Sequence, residues 1–307
     1  MFANLRTLAK LLPLSPLATL HEAHQNMRMI GIPLRSVSLA IVCFAASVDA
    51  QPRRVVPLGS KGKRVAMVVG NDSYRSLPRL SNGVRDARAV AAALTEAGFL
   101  VITLTDATRE YLDEGIDKFI AAIQPGDIAL FYYSGHAVQI GGLNYLSPID
   151  LSVANEVQAR TRSLNAGEVV EQMESKGADL QIVILDACRN NPFGRERGIG
   201  SQGGLASMNA GRGTFLAFAT APGKTADDNS GGSNGLYTGF LIQALRQPGL
   251  SIEEVFKQAG GQVQRASGGK QVPWISSSMD GQFYFRPVGD APALPAVDVD
   301  LEMYAAV

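Results

Sequence analysis

Five largely apolar runs, separated by segments with helical periodicity, constrain this chain most. They are Arg64–Val69, Phe99–Leu104, Asp127–Tyr133, Leu180–Leu185 and Thr214–Ala219. Runs without polar alternation are strands buried on both faces, which is the condition of a parallel sheet. Between them, 84–97 follows a possible cap at Ser81 or Asn82 and stops at Gly98. Segment 109–123 spaces Leu112, Ile116, Phe119, Ile120 and Ile123 for one helix face. Helices are also expected over 164–174, 236–246 and 252–266, and a closing sixth strand over 282–285. The pattern specifies an α/β fold, a three-layer sandwich whose mainly parallel six-stranded sheet is flanked by helices.

The sheet domain is expected over 63–286. Ahead of it, 51–62 reads as a basic, Pro-containing linker, and 287–307 as a Pro- and Ala-rich tail. Residues 1–50 read as an N-terminal extension ending in a signal peptide. Arg28 and Arg35 precede the apolar run Ser36–Ser47, and Val48-Asp49-Ala50 before Gln51 suits cleavage. Translation would then start at Met27 or Met29. The expected location is exported, periplasmic or secreted, with membrane attachment only through an uncleaved signal. Cys43 follows Ala40-Ile41-Val42, a poor lipidation sequence.

Formal charge is balanced, with 28 basic and 28 acidic residues, and no basic stripe is present to follow a nucleic-acid backbone. No Gly-x-x-x-x-Gly-Lys-Ser/Thr loop is present, which argues against nucleotide chemistry. Cleavage after Ala50 removes Cys43, His21 and His24, and leaves Cys188 and His136 as the lone cysteine and histidine. A multi-Cys or multi-His metal site is then excluded, and so is an internal disulfide.

His136 and Cys188 lie 52 positions apart, each just past an apolar strand. Strand C-termini are where α/β sheets build sites. An imidazole beside a thiol can take its proton and generate the nucleophilic thiolate. A packing cysteine with an unrelated histidine is the alternative. A single thiol in an oxidising compartment favours the nucleophile.

The segments Val68-Val69-Gly70-Asn71 with Tyr74, Tyr132-Tyr133-Ser134-Gly135-His136 and Leu185-Asp186-Ala187-Cys188-Arg189 resemble the caspase-like cysteine peptidases. The likeness is to the bacterial metacaspase and paracaspase branch, and runs from about Lys63 to Phe285. Phe218-Ala219-Thr220-Ala221 and Asn229-Ser230 through Gln243 resemble the small-subunit half. The resemblance implies a cysteine endopeptidase with Cys188 as nucleophile and His136 as base and acid. It implies an oxyanion hole from the backbone N–H of Cys188 and of Ala137. Many relatives carry Gly at the second position, and Ala gives up that φ freedom.

Animal caspases carry Gln two residues before the cysteine; here that residue is Asp186. Asp86 matches a further branch-specific acid, and Asp228, chosen over Asp227 by alignment on Asn229-Ser230, falls where animal caspases place an arginine. Three carboxylates imply a partner peptide with Arg or Lys before the cut, held through charge-assisted bonds. Asp86 could instead complement a helix N-terminus, and Asp186 could cap a loop.

Arg195, Arg197 and Arg212 lie in the glycine-rich 194–213 stretch and are candidates for self-cleavage. Arg189 is expected to anchor its loop, Trp274 to pack, and Tyr132, Tyr133 and Ser134 to pack or hydrogen-bond. No cofactor is required. The resemblance allows calcium activation, but no loop has calcium-ligand spacing, and Asp113, Glu114 and Asp117 read as a solvated helix face. A catalytically silent scaffold or binding domain, and a cysteine acyl-transferase or ligase, are the alternative functions.

Overall fold

The computed structural model describes residues 62–152, 155–188, 205–206, 208, 211–221, 233–289 and 299–300. Of the signal and linker segments expected over 1–62, residues 1–61 lie outside the described residues, as do Arg189, Arg195, Arg197, Asp227 and Asp228.

The strands are β1 (Arg64–Gly70), β2 (Leu100–Thr105), β3 (Ile128–Ile140), β4 (Leu143–Leu146), β5 (Leu164–Asn165), β6 (Leu180–Cys188), β7 (Thr214–Phe218), β8 (Trp274–Ser277) and β9 (Val299–Asp300). The main sheet runs β8-β7-β6-β3-β1-β2-β9. Every pair in it is parallel except β7 with β8. The helices are α1 (Gly83–Glu96), α2 (Arg109–Ala122), α3 (Glu156–Arg162), α4 (Ala166–Ser175), α5 (Leu236–Leu245) and α6 (Ile252–Ala266).

Strand side chains alternate between faces, so the largely apolar runs feed two cores. Val68, Tyr132, Ile184 and Ala217 pack with Val90, Leu241 and Val255 of α1, α5 and α6. Val69, Tyr133, Leu185 and Phe218 pack with Leu112, Phe119 and Met173 of α2 and α4. The result is the expected three-layer α/β sandwich. Each large apolar side chain fully buried here contributes about 1.5–3 kcal/mol relative to exposure.

Three elements depart from the sequence-based expectation. The sixth core strand is β8, not 282–285. Phe283 and Phe285 instead pack with Phe99. The Arg64 guanidinium donates to the carbonyls of Tyr284 and Phe285, and this segment keeps one isolated bridge, Ser251 with Tyr284. Second, β3 continues seven residues beyond Tyr133. It turns at Gly141-Gly142, both at positive φ, and returns antiparallel as β4. Third, α4 begins at Ala166, because Leu164–Asn165 pair with β4 and the Asn165 side chain caps the helix at Gly167 N–H. The tail region contributes β9, which pairs with Ile102 and Thr103.

At the start of α1, Asn82 occupies the cap position, but its side chain caps no helix N–H and its Oδ1 accepts from Arg85 Nη2 instead. Asp72 takes over that role, accepting from Gly83 N–H and Val84 N–H. Asp106, at φ 49°, in turn accepts from the N–H groups of Asp72 and Ser73. These bonds fix the loop after β1, which forms one wall of the site.

Candidate active site

The β3–β6 ladder runs in register from Ile128 opposite Leu180 to His136 opposite Cys188. Adjacent strands lie about 4.8 Å apart, so the two backbones are neighbours at the last rung. On its other side β3 leaves β1 at Ser134, opposite Gly70. His136 therefore sits where β3 exchanges one partner strand for another. It belongs to the strand and not to a loop after it, which corrects the expected strand end at Tyr133.

Hydrogen bonds hold His136 on two sides. Its Nε2 lies 2.7 Å from the Pro78 carbonyl oxygen. A carbonyl only accepts, so Nε2 carries the proton and Nδ1 is the basic nitrogen of the neutral ring. The His136 N–H donates to Tyr74 Oη at 2.7 Å, and Tyr74 Oη lies 3.2 Å from Tyr133 Oη. Tyr133 Oη in turn reaches the carbonyls of His136 and Ser147, each at 2.8 Å. The Tyr74 ring packs against the imidazole with centroids 4.6 Å apart. Burial pushes the Tyr74 phenol well above its ordinary value, and the adjacent Tyr133 adds to the shift, so Tyr74 stays a neutral hydroxyl.

Ala137 follows in extended strand, and Asp106 is the only described non-glycine residue with positive φ. Alanine therefore introduces no backbone strain, contrary to the concern raised by the missing glycine. The His136 carbonyl accepts from Ser147 N–H on the β4 side. The C=O and N–H of one trans peptide group point to opposite edges of a strand. The Ala137 N–H is thus directed to the β6 edge, where Cys188 ends its strand.

Asp86 and Asp186 are brought together although 100 positions separate them. Asp86 lies in the first turn of α1, 2% exposed. It accepts from Asn234 Nδ2 at 2.8 Å and from Gly235 N–H at 3.0 and 3.3 Å. Asp186, in β6, accepts from Thr238 Oγ1 at 2.7 Å. Thr238 Oγ1 also lies 2.7 Å from Tyr132 Oη. A β-carbon built on Gly235 would lie 2.8 Å from Asp86 Oδ2 and 3.8 Å from Asp186 Oδ2. Both carboxylates thus converge on the space that the missing Gly235 side chain leaves. Burial pushes the phenols of Tyr132 and Tyr237 well above the ordinary tyrosine value, and the charge of Asp186 raises both further.

Reasoning from sequence missed Pro78, Thr238, Asn234 and Gly235, whose roles arise from contacts between distant segments. Tyr74 was marked by its motif but not by its bond to His136. Of the other candidates, Arg212 is highly exposed, pairs with Asp280 at 3.0 Å, and lies in the turn entering β7. Trp274 packs on Phe218, with ring centroids 5.6 Å apart. Asp113 pairs with Arg109, and Glu114 with Lys118, on the exposed face of α2. Among the described residues no group of three or more His, Cys, Asp or Glu could hold a metal ion. Likewise no described helix is long and apolar enough to cross a membrane.

Residues 63–284 match the family model described as the caspase domain. The chain belongs to the caspase family. Among curated proteins, this caspase-family chain is similar to the human mucosa-associated lymphoid tissue lymphoma translocation protein 1, 26% identical over 222 residues. It is also 26% identical over 236 residues to the mouse homolog of that protein. The matches cover 70% and 75% of this chain but only 26% and 27% of the relatives' own lengths.

Proposed function

We propose that this caspase-family chain is a cysteine endopeptidase that cuts peptide bonds after Arg or Lys. The observation that carries the specificity is the convergence at Gly235 of Asp86, from α1, and Asp186, from the strand that ends in Cys188. A guanidinium or ammonium placed there meets two carboxylates already oriented by Asn234, Gly235 and Thr238. An acidic side chain would face like charge in a partly desolvated space. Asp228 is proposed as a third acid of this pocket by resemblance alone.

His136 Nδ1 takes the Cys188 proton, and the thiolate sulfur attacks the carbonyl carbon of the scissile bond. The carbonyl π pair moves to oxygen, and the resulting oxyanion accepts from the N–H groups of Cys188 and Ala137. Collapse expels the amine, which takes its proton from His136. Water, deprotonated by the same imidazole, then hydrolyses the thioester and restores the thiol. The Pro78 carbonyl keeps the Nε2 proton in place through both halves and favours the transient imidazolium. The apolar Ser36–Ser47 segment and its flanks support export of the chain, and the glycine-rich 194–213 stretch supports self-processing after Arg195 or Arg197. Arg212 is a poorer cut site, since Gly213 and Thr214 are already bonded to Ser278 and Gly211.

The test is a set of matched fluorogenic peptides ending in Arg, Lys or Asp, assayed with and without calcium, for wild type beside Cys188→Ala. Release after Arg and Lys that Cys188→Ala abolishes is the expected result. No Cys188-dependent release under either condition refutes the peptidase reading, and preferential release after Asp refutes the pocket.

A further inference from the structure

The loop between β1 and α1 holds His136 at two points. Pro78 offers its carbonyl to Nε2, and Tyr74 Oη takes the backbone N–H, each at 2.7 Å. Burial fixes Tyr74 but not Pro78. Arg75, Ser76, Pro78 and Arg79 are exposed, and Leu77 and Leu80 are only partly buried. Hydrogen bonds within and below the loop hold its tip instead. The Leu80 N–H donates to the Asp72 carbonyl and closes the loop, the Arg75 N–H donates to the Ile149 carbonyl, and Arg79 Nη2 donates to Ser73 Oγ.

The closed loop rests on Asp106. One carboxylate oxygen, Oδ1, accepts from the N–H groups of Asp72 and Ser73, both at 2.8 Å. Asp106 directly follows β2 at φ 49°, and its own N–H donates to the carbonyl of Gly70, the last residue of β1. This left-handed conformation is costly for residues with a side chain, and Asp and Asn tolerate it best after glycine. Such an outlier persists only where its surroundings fix it, and it points to a function. Here the turn aims a carboxylate across the ends of β1 and β2 at two successive N–H groups. Bonds to an ionised acceptor are stronger than neutral ones. Asp72 passes the restraint onward: its own carboxylate accepts from Gly83 N–H and Val84 N–H, where α1 begins, and the first turn of α1 carries Asp86.

We propose that Asp106 is a positioning residue of the active site: it anchors the 72–80 loop, so that the Pro78 carbonyl keeps the His136 proton on Nε2, and through Asp72 it seats the helix that carries Asp86. One turn at the end of β2 thus sets the base and one wall of the pocket together. Asp106 acts through Pro78 and Asp72 and bonds to neither His136 nor Asp86. The inference deepens the peptidase reading. Its kinetic test rests on that reading, and its spectroscopic test does not.

Three variants of the full chain decide the matter. Asp106→Gly removes the carboxylate but keeps the backbone conformation accessible. Asp106→Asn keeps both the conformation and an acceptor oxygen, without its charge. Asp72→Ala leaves the loop anchored through its backbone and frees only the start of α1. Long-range proton–nitrogen NMR of the imidazoles, at alkaline pH and with His136→Gln to assign the signal, reads the tautomer directly. Wild type should show one Nε2–H form at His136, Asp106→Gly an averaged ring, and Asp106→Asn a smaller shift the same way. On an Arg peptide, Asp106→Gly should lower kcat by about tenfold or more with a smaller change in KM, and Asp106→Asn should restore most of it, to within roughly two- to fivefold of wild type. Asp72→Ala should instead raise KM and leave kcat and the tautomer nearly unchanged. If Asp106→Gly does not fold, the same shift in Asp106→Asn carries the test. A ring already averaged in wild type, or a ring as uniform in both Asp106 variants as in wild type, would overturn the proposal. No Cys188-dependent release by wild type would refute the peptidase reading alone, and the NMR series would still decide the role of Asp106.

Discussion

Replacing Asp186 with Asn isolates the charge of the pocket from its shape. The amide is nearly isosteric, and its oxygen can still accept the Thr238 hydroxyl that Asp186 accepts at 2.7 Å. Asp86 is a poorer probe. It accepts from both Asn234 and Gly235, and an amide there would set its own N–H groups against those donors. A hydrogen bond to a charged group contributes about 1.5–3 kcal/mol. At about 1.4 kcal/mol per decade, that is a loss of roughly 10- to 160-fold in kcat/KM for an Arg peptide. The assay pairs this peptide with one ending in citrulline, whose urea has the shape of a guanidinium without its charge. Wild type should strongly prefer Arg. Asp186→Asn should compress the Arg-to-citrulline ratio by that factor and leave the citrulline rate nearly unchanged. If both rates fall equally, Asp186 supports the fold and not the substrate, and the argument fails.

Gly135→Ala would place a β-carbon 2.5 Å from Tyr74 Oη and 2.7 Å from Tyr133 Oη. Overpacking of this kind costs about 1–3 kcal/mol and should lower the urea midpoint and kcat together; a variant with wild-type values of both would show that the tyrosine pair does not hold His136. Thr238→Val removes the link between Tyr132 and Asp186, and should raise KM for Arg peptides more than it lowers kcat, with Thr238→Ser restoring both. An equal loss in Thr238→Ser would discount the hydroxyl. Burial opposes the charge on Asp106, yet the N–H groups of Ser73 and Asp72 hold its carboxyl below the usual value. A depressed folded pKa stabilises fully above the unfolded value, about 3.9, and that stabilisation is lost as pH falls through the folded one. Asp106→Asn should therefore flatten the acid limb of the stability curve below about pH 4; parallel curves for variant and wild type would exclude this role.

Much of the site's position was legible because buried parallel strands announce themselves as apolar runs. The ends of those runs were less legible. Tyr133 looked like a strand end because Ser134, Gly135 and His136 are poor strand formers, and β4 compensates by pairing with the residues that follow. A signal for that hairpin was present: two glycines between Ile140 and Leu143, both at positive φ, form the two-residue turn that suits strand twist. The strand expected over 282–285 was misread because Phe283 and Phe285 alternate as a strand does. Their partners are the Phe99 ring and the Arg64 guanidinium, which local pattern does not reveal.

By itself the sequence determined the layered α/β class, the one histidine and one cysteine of the sheet domain, and the two acids that separate this chain from animal caspases. The first two follow from local rules, hydrophobic periodicity and the placement of reactive side chains after strands, while the acids were marked by the resemblance to the caspase-like family. The tertiary structure alone decided that His136 and Cys188 share a rung, that Pro78 fixes the imidazole proton, and that Asp86 and Asp186 meet at Gly235. Strand register and helix packing minimise free energy over the whole core. Residues 100 positions apart therefore become neighbours for reasons that neither neighbourhood contains.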